Sequence, residues 1–141
     1  MDRCELVILN ANREQMTLPK LAVLSPEFTI HRMHASHQIP ASLLAEEFCW
    51  IGRTDEELSI VCNASIEIAS DIRDDGWSCI KVLGPLDFSE VGILANISTV
   101  LAKASISIFA LSTYDTDYIL VKSEQVKKAS SALTSSGYEI R

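Results

Sequence analysis

The sequence predicts an α+β fold with antiparallel sheets and helices that pack on one face. Three observations support this: short runs rich in β-branched and aromatic residues, two stretches with the apolar spacing of an amphipathic helix, and Gly or Pro at the breaks between them. In the second half of the chain the predicted elements follow the order β-α-β-β-α-β. This order describes a ferredoxin-like unit, in which two helices cover one face of a four-stranded antiparallel sheet.

The predicted elements of the first half are shorter. A strand is expected at 5–9, and two short apolar runs separated by Ser25 and Pro26 follow it. Pro40 is typical of the first turn of a helix, so a helix is expected from Ile39 onward. Two strands joined by Thr-Asp-Glu-Glu are expected at 48–53 and 58–62. Strand, helix and two strands thus occur in both halves, which indicates a duplication of the fold.

The second half begins with a charged run at 71–76 that ends in glycine and is typical of a turn or linker. We therefore expect a boundary there, between an N-terminal unit, 1–70, and a C-terminal unit, 71–141. The first strand of the C-terminal unit is expected at 77–83, and Gly84 and Pro85 end it. Because one unit of this size is marginally stable alone, we expect the two units to pack together.

A helix is expected next, with Asp87 or Ser89 as its N-cap. Asp87 and Glu90 are three residues apart, which is the spacing of a capping box. Gly92 falls inside the first turn of this predicted helix, where glycine costs about 1 kcal/mol relative to alanine. Either a ligand approaches the backbone there, or the helix packs tightly on the sheet. The apolar positions on one face of the helix are Val91, Leu94, Ile97, Leu101 and Ala104.

A hairpin and a second helix complete the predicted unit. Strands at 106–111 and 118–122 flank the segment Ser-Thr-Tyr-Asp-Thr-Asp, which predicts a turn. Ser123 is expected to cap the second helix, Gly137 to end it, and 138–140 to form a short last strand. The apolar positions of the second helix are Val126, Ala129 and Leu133.

Composition excludes several classes of function. The 141 residues carry a formal net charge of −7, and the pI is near 4.9. Because nucleic acid and anionic membranes attract basic surfaces, we expect neither as a partner. No stretch approaches the roughly 20 apolar residues that span a bilayer. The four cysteines lack the Cys-x-x-Cys spacing of zinc and redox sites, so we expect reduced, buried thiols and a cytoplasmic location.

The sequence offers few groups for catalysis or metal binding. His31, His34 and His37 are three residues apart, but a step of three changes faces on a strand, which favours surface histidines over a metal site. No motif for a nucleophile, a nucleotide or a cofactor occurs, so we expect no cofactor and no enzymatic activity. Asp115 and Asp117 would share a strand face as an acid–base pair, although aspartate is also common in turns.

The segment GPLDFSEVGILANISTVLAKASISIFALSTYDTDYILVK, at 84–122, resembles the C-terminal half of small tandem ACT-domain proteins. The segment RTDEELSIVC, at 53–62, resembles the end of the first ACT unit in these proteins. The resemblance extends from residue 48 to residue 140 and is weak over the first 47 residues. It implies two ferredoxin-like ACT units and a regulatory module that binds an amino acid, similar to the ACT domains of aspartokinases and of CASTOR-type arginine sensors.

The resemblance also implies where a ligand would lie, namely at the interface between the two ACT units. The loop that leads into the first helix of the C-terminal unit and the polar hairpin would enclose it. The ligand carboxylate is expected at the helix start near Gly92, and the ammonium at Asp117 and Glu90. The implied ligand-binding residues are Leu86, Asp87, Phe88, Ser89, Glu90, Gly92, Ile93 and Leu94 in the loop and helix start, and Thr113, Tyr114, Asp115 and Asp117 in the hairpin.

Three functions remain open from the sequence. The first is a non-catalytic sensor that binds an amino acid. The second is a structural ACT module that mediates dimerisation or docks a protein partner without a ligand. The third is a small enzyme that uses Asp115 and Asp117. Because exposed sheet edges pair readily, we also expect a homodimer, unless the two units of one chain satisfy each other's edges.

Overall fold

The computed structural model describes residues 18–84 and 91–141. Within these ranges seven strands form one antiparallel sheet, which two α-helices and two short 3-10 helices accompany. The fold is therefore α+β, as predicted. The strand expected at 5–9 lies outside the described residues. The strands are β1 (Leu21–Val23), β2 (Phe28–Met33), β3 (Cys49–Arg53), β4 (Leu58–Asn63), β5 (Ile72–Val82), β6 (Phe109–Ser112) and β7 (Asp117–Lys122), the α-helices are α1 (Ile93–Lys103) and α2 (Val126–Ser135), and the 3-10 helices are Ala41–Ala45 and Ser123–Gln125.

The long strand β5 joins the two halves of the sheet. The strand order is β3-β4-β2-β5-β7-β6, and β1 also pairs with β5. The first part of β5 pairs with β2, whereas its last residues pair with β7 on one side and β1 on the other. The last strand expected at 138–140 is reduced to a parallel bridge between Ile140 and Leu21 of β1. Strand β1 therefore lies between β5 and the C-terminal residues.

The charged run at 71–76 is not the turn or linker that the sequence predicts, because most of it belongs to β5. The register between β2 and β5 shifts here, so that Asp75 and Gly76 together face Thr29. Such a β-bulge often contains glycine in the left-handed region, and Gly76 has φ +77°. The hydroxyl of Thr29 donates to Oδ1 of Asp75 at 2.8 Å, so cross-strand contacts satisfy this polar segment. The expected division into two units near residue 71 stays a prediction.

The two α-helices cover one face of the sheet, and the predicted apolar spacing is confirmed for both from Leu94 onward. Val91 was wrongly predicted on the apolar face of α1, because it precedes the helix and is 87% exposed. Ser123 does not cap α2, because its hydroxyl hydrogen-bonds to Oγ of Ser78 at 2.9 Å. Gly137 follows the end of α2 with φ +99°, and the Tyr138 amide donates to the Leu133 carbonyl at 3.1 Å, which is a Schellman motif. The core under the helices contains Leu21, Ile80, Val82, Ile97, Leu101, Ile119, Val121, Ala129 and Leu133, each fully buried.

Helix α1 begins at Ile93, so Gly92 is its N-cap and does not lie in its first turn. The φ angle of Gly92 is +86°, a left-handed conformation that side chains with a Cβ rarely adopt. No heavy atom of the described residues lies within 4 Å of the position of an added Cβ, so tight packing does not explain this glycine. The left-handed backbone conformation explains why a glycine occupies this position. The caps expected at Asp87 and Ser89 lie outside the described residues.

On the opposite face, aromatic side chains join strands of the two halves. The ring of Phe48 packs between the rings of Phe28 and Tyr118. Its centroid lies 4.8 Å from that of Phe28 and 5.3 Å from that of Tyr118. Trp50 of β3 meets Phe109 of β6 edge to face, although these two strands stand at opposite ends of the strand order. The sheet is therefore curled, and its first strands cover the helix-free face of its last strands.

The helix expected from Ile39 is only a single 3-10 turn at Ala41–Ala45. Leu43 is the buried residue of this turn, whereas Leu44 is 73% exposed, so one apolar side chain anchors the segment. A longer helix would need an apolar stripe that this segment lacks. Leu43 packs with Met33, Leu58, Ile60 and Cys62 in a third apolar cluster.

No helix in the described ranges is long and apolar enough to cross a membrane.

Candidate ligand-binding site

A cavity of about 250 Å³ lies at the C-terminal end of β5. Lys81, Gly84, Asp115 and Thr116 line it. Lys81 is the penultimate residue of β5, and Gly84 follows that strand by two residues. Asp115 and Thr116 belong to the turn between β6 and β7. The cavity therefore lies where the hairpin tip meets the start of the segment that leads to α1.

Threonine hydrogen bonds fix the hairpin turn. The Thr113 amide donates to the Thr116 carbonyl at 2.8 Å, and the Thr113 hydroxyl donates to the same carbonyl at 3.2 Å. The side chain of Thr116 is buried, and its hydroxyl donates to the Val82 carbonyl at 2.5 Å. Because this bond attaches the turn to the end of β5, Asp115 is held at the same cavity as Lys81.

Lys81 lines this cavity, although neither the sequence patterns nor the resemblance indicated it. It faces Tyr118 across the β5–β7 pair, with its ammonium 5.8 Å from the centre of that ring. An aromatic face attracts a cation at this distance, so the ring helps to position the ammonium. The sequence shows a lysine between the apolar residues Ile80 and Val82 near the end of a predicted strand, a pattern that does not by itself indicate a cavity.

The hairpin residues implied by the resemblance occupy different environments. Asp115 lines the cavity, whereas Asp117 begins β7 and its Oδ1 accepts a hydrogen bond from the Ser112 hydroxyl at 2.5 Å. Asp117 is not among the lining residues of this cavity. Thr113 closes the turn, and the side chain of Tyr114 is 81% exposed. The two aspartates therefore have different roles in the hairpin.

The loop residues implied by the resemblance are described only in part. Gly92 is exposed and precedes α1, whereas Ile93 and Leu94 pack against the core under the helices. A ligand role for these three residues stays a prediction. The residues that lie outside the described ranges are Leu86, Asp87, Phe88, Ser89 and Glu90.

A second cavity, of about 470 Å³, lies between the two α-helices. Among the described residues that line it, Lys103 is the one that carries a charge, and Oη of Tyr138 accepts a hydrogen bond from the lining residue Asn96 at 2.5 Å. The described part of this lining therefore lacks an opposite pair of charges. Its lining residues are Asn96, Thr99, Val100, Lys103, Ala104, Ala132 and Ser136.

The sequence predicted that all three histidines lie at the surface, but one of them is buried. His31 is fully buried on β2, because the strand turns its side chain inward, and Nδ1 hydrogen-bonds with Oγ of Ser70 at 2.8 Å. Burial lowers the pKa of His31, and Arg73 lowers it further, whereas Asp75 opposes the shift. His34 instead contacts its neighbour Ser36. In the described ranges no three His, Cys, Asp or Glu side chains group as metal ligands.

Comparison with known proteins gives a consistent identification. A family model described as an ACT domain matches residues 72–135, and a model of an N-terminal domain matches residues 26–71. Protein Atu0741 from Agobacterium tumefaciens is 38% identical to this chain. The match covers 89% of this chain and 94% of that one, with a TM-score of 0.80.

Two more distant structures share the fold. Protein VC0802 from Vibrio cholerae, described as a possible transport protein, has 20% identity and a TM-score of 0.64 over 91% of this chain and 97% of its own. The regulatory subunit of aspartate kinase from Thermus thermophilus has 12% identity and a TM-score of 0.61 over 86% of this chain and 99% of its own. These two likenesses concern the fold alone, whereas the family match and the 38% identical relative lead to one conclusion: the chain belongs to the ACT-domain family.

Proposed function

We propose that this chain is a non-catalytic regulatory module that binds a free amino acid in the cavity between β5 and the β6–β7 turn. ACT domains are regulatory, ligand-binding modules, and this supports a sensor over an enzyme. The observation that carries the proposal is the pairing of one cation, Lys81, and one anion, Asp115, in a cavity of about 250 Å³.

The charges of this cavity complement those of an amino acid. In the proposed complex the ammonium of Lys81 binds the α-carboxylate of the ligand, and the carboxylate of Asp115 accepts hydrogen bonds from the α-ammonium. Each is a charge-assisted hydrogen bond, the stronger class in proteins. Thr116 has a supporting role, because its hydroxyl already donates to Val82.

We also propose that two ferredoxin-like units share β5. The order β3-β4-β2 with the first half of β5 would form one unit, and β6-β7 with its second half the other. Alternate residues of a strand share a face, so Lys81 lies on the same side of β5 as Trp77 and Cys79. Both of these pack in the aromatic cluster that joins the two halves. This arrangement supports a ligand position close to the junction of the proposed units.

A thermal-shift screen against the twenty amino acids tests the proposal. A ligand at 100 times its dissociation constant stabilises the folded state by about 2.7 kcal/mol. The amino acid that stabilises the wild type should have little effect on Lys81→Gln, and its full effect on Lys128→Gln, a matched exposed lysine on α2. If no amino acid raises the melting temperature, a structural ACT module without a ligand is favoured.

The homodimer, a regulated protein partner and a cytoplasmic location remain proposals, and light scattering tests the first.

A further inference from the structure

Cys49 and Cys62 face each other across two adjacent strands. Cys49 is the first residue of β3, and the register of β3 and β4 makes Cys62 its direct partner. Facing residues of antiparallel strands point to the same side of the sheet, with Cα atoms about 4.5 or 5.5 Å apart. Both values fall in the range of about 4.4–6.8 Å that a disulfide bridges.

The hairpin turn determines which kind of facing pair this is. The Thr54 amide donates to the Glu57 carbonyl at 2.9 Å, so these two residues form a hydrogen-bonded pair. Hydrogen-bonded and non-hydrogen-bonded pairs alternate along antiparallel strands. Cys49 and Cys62 are five steps further along the ladder, which makes them a non-hydrogen-bonded pair. In such pairs the side chains approach each other most closely.

The surroundings of the two thiols differ. Cys62 is fully buried in the apolar cluster around Met33 and Ile60, whereas Cys49 packs against that cluster and is partly exposed. Burial is the largest of the effects that raise the pKa of Cys62 to about 11, and the neighbouring Cys49 is the next. Burial also raises the pKa of Cys49, and Glu46 adds to this. One thiol is thus accessible, and the other is held beside it.

We propose that Cys49 and Cys62 are an oxidisable dithiol that closes into a cross-strand disulfide in the presence of a small-molecule disulfide. The Cys49 thiolate attacks the reagent, forms a mixed disulfide and releases one thiolate. The Cys62 thiol then loses its proton and attacks the sulfur of Cys49, which releases the second thiolate. Overall, two protein thiols are oxidised to one disulfide and one small-molecule disulfide is reduced to two thiols.

The disulfide would join the outermost strand β3 to β4 and close the loop formed by residues 49–62. Closing a loop of this length restricts the unfolded chain, so the melting temperature is expected to rise by about 5–10 °C. The third described thiol, Cys79, is not a partner, because it is buried in the separate aromatic cluster on β5.

The experiment treats the full native chain with oxidised glutathione at mildly alkaline pH, where more thiolate is present. After free thiols are alkylated, peptide mapping should find Cys49 linked to Cys62 in the wild type and equally in Cys79→Ala. In Cys62→Ser, Cys49 should instead accumulate as a mixed disulfide with glutathione. A phosphine reductant should reverse both the link and the rise in melting temperature.

Two results would overturn the proposal. One is a stable mixed disulfide at Cys49 in the wild type, as in Cys62→Ser, because the second thiol would then be out of reach. The other is quantitative alkylation of Cys49 and Cys62 after the treatment, with no link between them. Both readouts are obtained on the wild-type chain, so they do not depend on whether the variants fold.

Discussion

Leu21 of β1 forms a parallel bridge with Ile140, near the C-terminus of the chain. The Leu21 amide donates to the Glu139 carbonyl at 2.9 Å, and its carbonyl accepts from the Arg141 amide at 2.9 Å. On its other side Leu21 pairs with Val82 of β5. A short segment from the first half of the chain therefore completes the sheet under α1 and α2.

This position predicts a large effect of Leu21→Ala. The side chain is fully buried in the core under the two helices, and truncating such a leucine costs about 2–5 kcal/mol of unfolding free energy. Leu44→Ala is the matched control, because Leu44 is 73% exposed. Urea denaturation followed by circular dichroism measures both. Equal small losses in the two variants would show that β1 does not belong to this core.

Thr116→Val should destabilise the hairpin at the cavity. Valine keeps the shape of threonine but leaves the Val82 carbonyl without the donor that reaches it at 2.5 Å. A buried polar group that loses its partner costs about 1–3 kcal/mol. Thr99→Val is the control, because Thr99 is exposed on α1 and its hydroxyl bonds only within the helix. If urea denaturation shows the same loss of unfolding free energy for both substitutions, the hydrogen bond from Thr116 to Val82 makes no specific contribution to stability.

Gly92 provides a test of backbone strain. Alanine at φ +86° should cost about 1–2 kcal/mol of unfolding free energy, whereas asparagine, which tolerates the left-handed region, should cost less. Open space around the Cβ position predicts this order. If close packing were the reason for glycine, the larger asparagine would be the worse substitution. The order of the two melting temperatures decides between these explanations.

The stability of the chain should fall as the pH decreases below about 6.5. Burial lowers the pKa of His31 below its ordinary value of 6.5, so the unfolded state takes up a proton in a pH range in which the folded state does not. The contribution of His31 to the free energy of unfolding is complete above pH 6.5. It is lost as the pH falls toward the lower pKa of the folded state, and the slope of the free energy approaches about 1.4 kcal/mol per pH unit.

Urea denaturation of the wild type, His31→Gln and His34→Gln at several pH values between 5 and 7 tests this. His31→Gln should flatten the dependence, whereas His34→Gln, at an exposed position, should retain it. The Asp75 carboxyl does not interfere, because its hydrogen bonds from Thr29 and Arg73 hold its pKa below its ordinary value of 3.8. An unchanged slope in His31→Gln would reject the role of this histidine.

Local patterns predicted the helices and most strands, because apolar spacing directly reports which side of an element is buried. The spacing of Ile97 and Leu101, and of Ala129 and Leu133, was sufficient to identify α1 and α2. The bulge at Gly76 looked like a turn, since turns and bulges both use glycine in the left-handed region.

Long-range pairing was not predictable from the sequence. The insertion of Leu21 between β5 and Ile140 depends on contacts across almost the whole chain, and three residues carry too little pattern to reveal a strand. The cavity shows the same limit. The polar turn drew attention to Asp115, but the alternation of β5 does not reveal that Lys81 reaches the same cavity.

In the proposed complex, Lys81 and Asp115 bind the two charged groups of one amino acid. Isothermal titration calorimetry with the amino acid that stabilises the wild type, and with its carboxamide and its N-acetyl derivative, tests this most directly. Each derivative removes one charge, and loss of a hydrogen bond to a charged group costs about 1.5–3 kcal/mol, or about ten- to a hundredfold in affinity. The carboxamide should weaken binding to the wild type but not to Lys81→Gln, and the N-acetyl derivative should weaken binding to the wild type but not to Asp115→Asn. If the two variants bind the unmodified amino acid as tightly as the wild type does, the cavity is not its binding site.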